Sequence, residues 1–530
     1  MFPCFHLCAL CALWRQSLPV KKPVKIGLWL LGFAVLGLLG LWLEHERAKA
    51  RLAAFKAQLI AKGEQLAIAD HVPKLPPALS NAAPDFIAAA NRITELKPEL
   101  QPQRMRLVAP GKARVTWQQA ELPTEKEPDL WPFITAHVED NRQLLAEMAV
   151  ALERPEMVCN LDYSKGFNLL LPHLAKVKQS AVVFANATLV DLRADQRASA
   201  FTNLLAGARL TRLQEEPLLI SQLVRIACGH IAAQATWEAL QFPGWQDGQL
   251  LALQTEWQEW DLKRGWLASA NMERAYGSDI FAQCRGNPAM FSMLDWSGSG
   301  PGPSGKSVFV ELWDDPEAAA RRALHFTVMM GWTLWFSHDD ERWALEHHQI
   351  WIDGARQALK ADAFAPAQNR TVAASKPFET PPMTMVLSRM TLPALNRSHQ
   401  KFASFETIRR LTITAIALHR HRLKHGKFPE SLGALVPEFL AEVPRDFMDG
   451  QPLRYQLQPD GQFRLWSVGE DFKDDGGDPT TVGVSSSSDQ YQWLKGRDWV
   501  WPQAATEAEV TAYHAELAAK RAPPAPRTPP

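Results

Sequence analysis

Residues 26–43 read IGLWLLGFAVLGLLGLWL, eighteen positions without a charged side chain. At about 1.5 Å of rise per residue the stretch covers about 27 Å as a helix, one crossing of a bilayer's hydrocarbon core. Trp29 and Trp42 lie near its ends, where indole rings favour the boundary between lipid and water. Lys21, Lys22 and Lys25 precede it, and Arg47, Lys49 and Arg51 follow together with Glu44 and Glu46. Basic residues are nearly balanced across the span and orient it only weakly. The run is long for a cleaved signal peptide and has no clean small-x-small cleavage site, so it is expected to stay as a single-pass signal anchor. On this reading residues 1–25 are a cytoplasmic leader of a bacterial inner-membrane protein whose bulk lies in the periplasm. The stretch VKKPVK is itself the basic start such an anchor carries, which makes Val20 an alternative point of translation initiation.

The rest of the 530-residue chain is globular by composition: hydrophobic residues make up 46% and charged residues 22%. Those values exclude wholesale disorder and a multi-span membrane protein. Lys plus Arg and Asp plus Glu are 57 each, so no global basic field exists and no nucleic-acid partner is expected. Six cysteines are too few for a disulfide scaffold. Cys4, Cys8 and Cys11 have the spacing that holds an iron–sulfur cluster in radical enzymes, but they precede a membrane segment and read as part of an apolar leader.

Outward from the span the chain is expected to be mainly α. Residues 44–135 read as a stalk helix followed by a Pro-rich connecting region, with the short β-like run Arg114–Gln118. Residues 136–361 read as a domain of helical hairpins. Within it, Ile220, Leu223, Val224, Ala227, Ile231 and Ala235 recur at three and four, with Gln222, Arg225 and Gln234 off the stripe. Asp247 is expected to N-cap the next helix, whose apolar stripe is Leu250, Leu253, Trp257 and Trp260. The apolar run His325–Phe336 is too short to span a bilayer and reads as a buried helix. Residues 362–398, rich in proline, read as a linker. Residues 399–502 form a small α+β module, and 503–530 a short helix with a Pro-rich disordered tail.

Four constellations bear on chemistry. Gly300–Ser307 (GPGPSGKS) matches a phosphate-binding loop by letters, but Pro301 and Pro303 each remove an N–H that such a loop needs. His338–His348 (HDDERWALEHH) gathers His338, Asp339, Asp340, Glu341, Glu346, His347 and His348, types that ligate metals or act as acid and base. At helical spacing Asp340 with His347, or Asp339 with Glu346, project together. The same residues also suit a solvated helix start. No G-x-S-x-G elbow occurs, and Val482–Asp489 reads as loop. The chain carries 20 tryptophans against 5 tyrosines; most are expected in packing, and exposed ones would make a glycan a further candidate ligand.

The C-terminal module carries the most specific pattern. A helix over about Phe402–His425 runs into Gly426, Phe428 and Pro429. Val443, Pro444, Asp446, Gly450, Pro452 and Tyr455 follow, then a hairpin turning at Pro459-Asp460-Gly461, then Ser467, Gly469 and Asp471. These positions resemble the C-terminal region of the major pseudopilin of type II secretion systems. The resemblance implies a secretion-associated α+β module whose closing loop binds calcium, which makes Asp471, Asp474, Asp475 and Asp478 candidate ligands. The chain departs from that family in placing its span far upstream of this helix and in lacking a prepilin-peptidase site. The whole arrangement also resembles a group of bacterial membrane-anchored proteins of no assigned activity, which combine an anchor, an NAAP segment (Asn81–Pro84), a helical middle with EPLLISQLVRIA (Glu216–Ala227) and this ending. The leading expectation is a membrane-anchored structural or interaction protein with a protein partner in the cell envelope and no evident catalysis. The alternative is an envelope hydrolase with its acid/base or metal site around His338–His348.

Overall fold

The computed structural model describes residues 22–95, 131–213, 216–287, 317, 327–328, 330–479, 496–502, 508, 511–512 and 515. The cysteines of the leader, Arg114–Gln118, the Gly300–Ser307 loop, Val482–Asp489 and the Pro-rich tail lie outside them. In chain order the helices are α1 Lys22–Ala61, α2 Ala83–Ala90, α3 Trp131–Asp140, α4 Arg142–Ala151, α5 Pro172–Arg193, α6 Arg197–Leu213, α7 Leu219–Ala239, α8 Asp247–Glu259, α9 Leu262–Gly286, α10 Ser337–Ala361, α11 Ala365–Ser375 and α12 Val386–His425. Strands β1 Arg454–Leu457, β2 Phe463–Ser467 and β3 Trp499–Val500 follow. The described residues are mainly helical, with one small sheet and one apolar N-terminal helix long enough to cross a membrane. Two compact units emerge. One holds the described residues of Met1–Glu64, Phe281–Trp343 and Pro382–Ser388, the other those of Gln65–Ile280, Ala344–Pro381 and Arg389–Pro530. The described residues of 281–343, read above as part of the helical domain, thus group with the N-terminal helix.

In the first unit α1 changes character along its length. Trp29, Leu30, Leu31, Phe33, Val35, Leu36, Leu39 and Trp42 are all exposed, Phe33 by 66% and Leu36 by 65%. Further along, Ala48, Leu52 and Leu59 are buried. They are four and seven residues apart and form one stripe. This second half packs on the single π-helical turn Trp332–Phe336 that leads into α10. Arg51 spans Glu44 (2.9 Å) and Asp339 (2.8 Å), while Lys56 and Arg285 both reach the buried Glu341 carboxylate. Of the apolar run His325–Phe336, Trp332 is buried, but Val328, Leu334 and Phe336 remain exposed.

The second unit packs α5 against α6 and α7, and α6 against α7 and α8. Helix α7 runs where its periodicity puts it, but its polar residues do not face water. Gln222 and Arg225 are fully buried and Ile220 is exposed. The reason lies at the end of α6, whose last carbonyls need donors. Arg225 supplies them, through Nε to Thr211 O (2.7 Å) and Nη2 to Arg212 O (2.5 Å), with its guanidinium 5.0 Å from the Trp260 ring. Gly229 on the same helix lets Trp260 and Phe405 approach, since a Cβ there would lie 2.3 Å from Phe405 Cζ. In α8 the stripe Leu250, Leu253, Trp257 and Trp260 is buried as the spacing predicts. Its N-cap, however, is Gln246; Asp247 sits one residue inside and pairs with Arg420.

Residues 362–398 are not an irregular linker. They hold α11, a 3₁₀ turn over Lys376–Phe378 and the first turns of α12. Pro366 and Pro377 occupy helix N-termini, where a missing N–H costs nothing. The buried Phe364 anchors the segment by donating its N–H to Phe447 O (2.7 Å). Past α12, Gly426 adopts φ +75° to end the helix. Strands β1 and β2 pair antiparallel with Tyr455 opposite Leu465, turning at Gly461 (φ +80°), and β3 pairs on the far side of β2. The buried Asp446 ties the module together by accepting from Met448 N, Val468 N (both 2.9 Å) and Ser467 Oγ (2.9 Å).

Candidate functional site

The start of α10, which the sequence nominated, is buried rather than solvated. Asp340 and Glu341 are fully covered, and His347 and His348 nearly so. Each has a partner other than the one helical spacing suggested. Asp340 accepts from Trp332 Nε1 (2.8 Å), Leu387 N (2.9 Å) and Ser388, so it fastens the first turn of α12. Glu341 is held between Arg285 and Lys56, and Asp339 by Arg51. The His338 ring meets His45 edge-on at 4.8 Å, and burial lowers its pKa to about 4. These carboxylates are structural clamps of the first unit.

His347 and His348 belong to the second unit, where α9, α10 and α12 enclose a cavity of about 10 Å³. That is room for about one water. Its polar lining is Ser269, Glu273, His348, Ser398 and His399, framed by Trp266, Trp351 and Phe402. Indole N–H groups fix the imidazoles: Trp266 Nε1 donates to His399 Nδ1 (3.0 Å) and Trp351 Nε1 to His347 Nε2 (3.1 Å). His348 bonds Ala344 O through Nδ1 (2.8 Å). Burial holds His347 and His348 near 4 and His399 near 3, so all three are neutral at pH 7. Burial also pushes the Glu273 carboxyl up to about 7. Glu273 and His399 come from parts of the sequence where nothing marked them; only the fold brings them to His348.

The aspartate loop is organised by a residue the sequence did not nominate. Asp498 is buried and accepts from the N–H groups of Gly477 (2.7 Å), Asp475 and Asp478 (both 3.1 Å). Asp474 accepts from Trp466 Nε1 (3.0 Å) and Gly476 N (3.1 Å) and lies beside Arg454. Asp471 closes a local turn onto Lys473 N (3.0 Å), and Asp478 lies 3.8 Å from Arg497. The structure thus brings Asp471, Asp474, Asp475 and Asp478 into one loop without converging their carboxylates on a point.

Convergence occurs elsewhere. Among the described residues, one group of metal-ligand types has its donor atoms within 4.8 Å of one another: Cys159, His173 and Glu216. Cys159 lies in the connection from α4 to α5, His173 in the first turn of α5, and Glu216 between α6 and α7. His173 Nε2 and Glu216 Oε1 are 2.7 Å apart, and Ser221 Oγ donates to Glu216 Oε2 (2.6 Å). Burial, with Glu216 close by, raises the Cys159 thiol far above its usual range, so it is protonated at pH 7. No family model, curated protein or solved structure matches this chain. Past α1, the tryptophans whose burial is described are buried or half-buried, Trp335 and Trp343 being the half-buried ones.

Proposed function

We propose that the protein is a single-pass, membrane-anchored interaction protein of the bacterial envelope, with its helical body and pseudopilin-like C-terminal module outside the cytosol. The observation that carries this reading is the bare first half of α1. The described large apolar side chains from Trp29 to Trp42 are all exposed in one unbroken run, whereas elsewhere exposed ones such as Leu79 and Met383 are scattered and most form cores. Burying one large apolar side chain is worth about 1.5–3 kcal/mol, so a helix of them left in water is strongly driven into lipid. The charged second half then projects from the bilayer as a stalk. Support for a structural role comes from the nominated carboxylates, which hold helix starts and guanidinium groups, and from the water-sized cavity.

Proteolysis of intact spheroplasts tests the arrangement. Digestion of everything beyond Glu44, with only a small anchored fragment protected, is expected; full protection of the body until the membrane is permeabilised would overturn it. A second reading, an acid/base hydrolase, is favoured by Glu273 beside His348 and His399. It requires a pocket that opens to substrate and an activity lost in Glu273→Gln.

A further inference from the structure

Two connections and the first turn of α5 meet at Cys159, Glu216 and His173, and each is locked from behind. Asn81, of the NAAP segment, holds the residue before the cysteine: its Oδ1 accepts from Val158 N and its Nδ2 donates to Val158 O, both at 2.9 Å. His173 follows Pro172 in the first turn of α5. Glu216 is fixed through its side chain by Ser221 and through its carbonyl by Gln222 Nε2 (2.7 Å). His173 and Glu216 are buried and Cys159 half-buried. Beside them sits an independent anomaly. The Tyr163 hydroxyl, in a residue 4% exposed, has no hydrogen-bond partner, and it lies close enough to Glu216 and Cys159 to interact electrostatically with both groups. A buried, unpartnered hydroxyl next to a sulfur, an imidazole and a carboxylate marks a place built for something further.

We propose that Cys159, His173 and Glu216 bind one divalent cation of the zinc class, with a fourth position open beside the Tyr163 hydroxyl. Thiolate with imidazole selects a borderline cation over calcium or magnesium, which take oxygen. Thiolate and carboxylate together carry two negative charges, so a divalent ion leaves the buried site neutral. On binding, the Cys159 S–H bond breaks, the sulfur bonds the metal and the proton leaves to solvent. His173 binds through the Nε2 lone pair with its proton on Nδ1. Its 2.7 Å contact with Glu216 opens to about 3.3 Å, the ligand separation of a tetrahedral ion with bonds of about 2.0–2.1 Å.

The test uses full-length, detergent-solubilised protein stripped with chelator and titrated with Co²⁺, then Zn²⁺. Expected are one equivalent of cobalt, a thiolate-to-cobalt charge-transfer band in the near ultraviolet, and its disappearance as zinc displaces cobalt. The band is absent from Cys159→Ser and unchanged in Asp471→Asn. Because one proton leaves per metal bound, affinity falls close to tenfold per unit of pH on acidification. In the unmutated protein, zinc is expected to slow alkylation of Cys159 at least tenfold, as read by peptide mass mapping, with Cys228 unaffected. A hydrogen-bonded carboxylate that binds nothing gives no band and no protection, and that result overturns the proposal. So does a band that survives in a folded Cys159→Ser.

Discussion

Helices α1 and α12 are both 40 residues long, yet they solve opposite problems. The first half of α1 is apolar and bare. Helix α12 is far more polar, carrying Arg409, Arg410, Thr407, Thr412 and Thr414 among its apolar residues, and over residues 402–421 it is covered nearly all round. Each buried threonine returns its hydroxyl to the carbonyl four residues back, at 2.7–3.1 Å. Burial pushes Glu406 upward, but Arg409 and Arg410 overcome it and hold the carboxyl near 2. Hydrophobicity alone therefore does not decide what lies inside. Over residues 402–421 helix α12 is core because its buried threonines, Glu406, Arg409 and Arg410 have partners; the first half of α1 is exposed because, among the described residues, none in its unit covers it.

That contrast can be broken most forcefully at Arg410, which joins Glu406 to Asp362 with contacts of 2.6–2.8 Å. Arg410→Met keeps a stem against Phe447 but leaves Glu406 with Arg409 alone and Asp362 with Lys263 alone, and should cost about 3 kcal/mol in denaturant unfolding. A loss under about 1 kcal/mol would mean the pairing is incidental. Acid supplies the next test. The buried imidazoles of His347, His348 and His399 have folded pKa values below the unfolded one, so the unfolded chain binds more protons and stability is lost as pH falls through 6.5 toward 4. Glu273, raised to about 7, works in the opposite direction over the same window, one group against three. His399→Asn, which keeps an acceptor for Trp266, should remove about 2 kcal/mol of the stability difference between pH 7 and pH 5. An unchanged acid limb would contradict the assigned neutral state. Gly229→Ala drives a methyl into Phe405 and Trp260 and should cost about 1–3 kcal/mol by thermal unfolding. The smallest effect belongs to the other helix: Leu36→Ala, large to small at an apolar residue, should change body stability by less than about 0.5 kcal/mol.

Much of this architecture was legible in the sequence. The apolar N-terminal helix stands out as an uncharged run of eighteen residues, and the hairpin because Tyr455, Leu457, Phe463 and Leu465 alternate around a turn. Local pattern failed where a distant partner changed the meaning of a residue. Arg225 and Gln222 read as a wet face until the end of α6 claimed them. The prolines of 362–398 read as linker because those residues do not reveal Phe447 receiving Phe364. Of the sites, His348 was visible, but Glu273, His399, Asp498 and the meeting of Cys159, His173 and Glu216 depend on contacts far apart in the chain. The NAAP segment was the one local hint, since Asn81 positions the residue before Cys159.

The account rests on the bare half of α1 lying in lipid. Alkaline carbonate extraction of membranes from cells making the full chain, beside a chain lacking residues 1–43, tests this directly. The full chain is predicted to stay in the pellet and the truncated one to appear in the supernatant as a folded, cooperatively melting protein. A full-length chain released by carbonate into the supernatant would contradict the account.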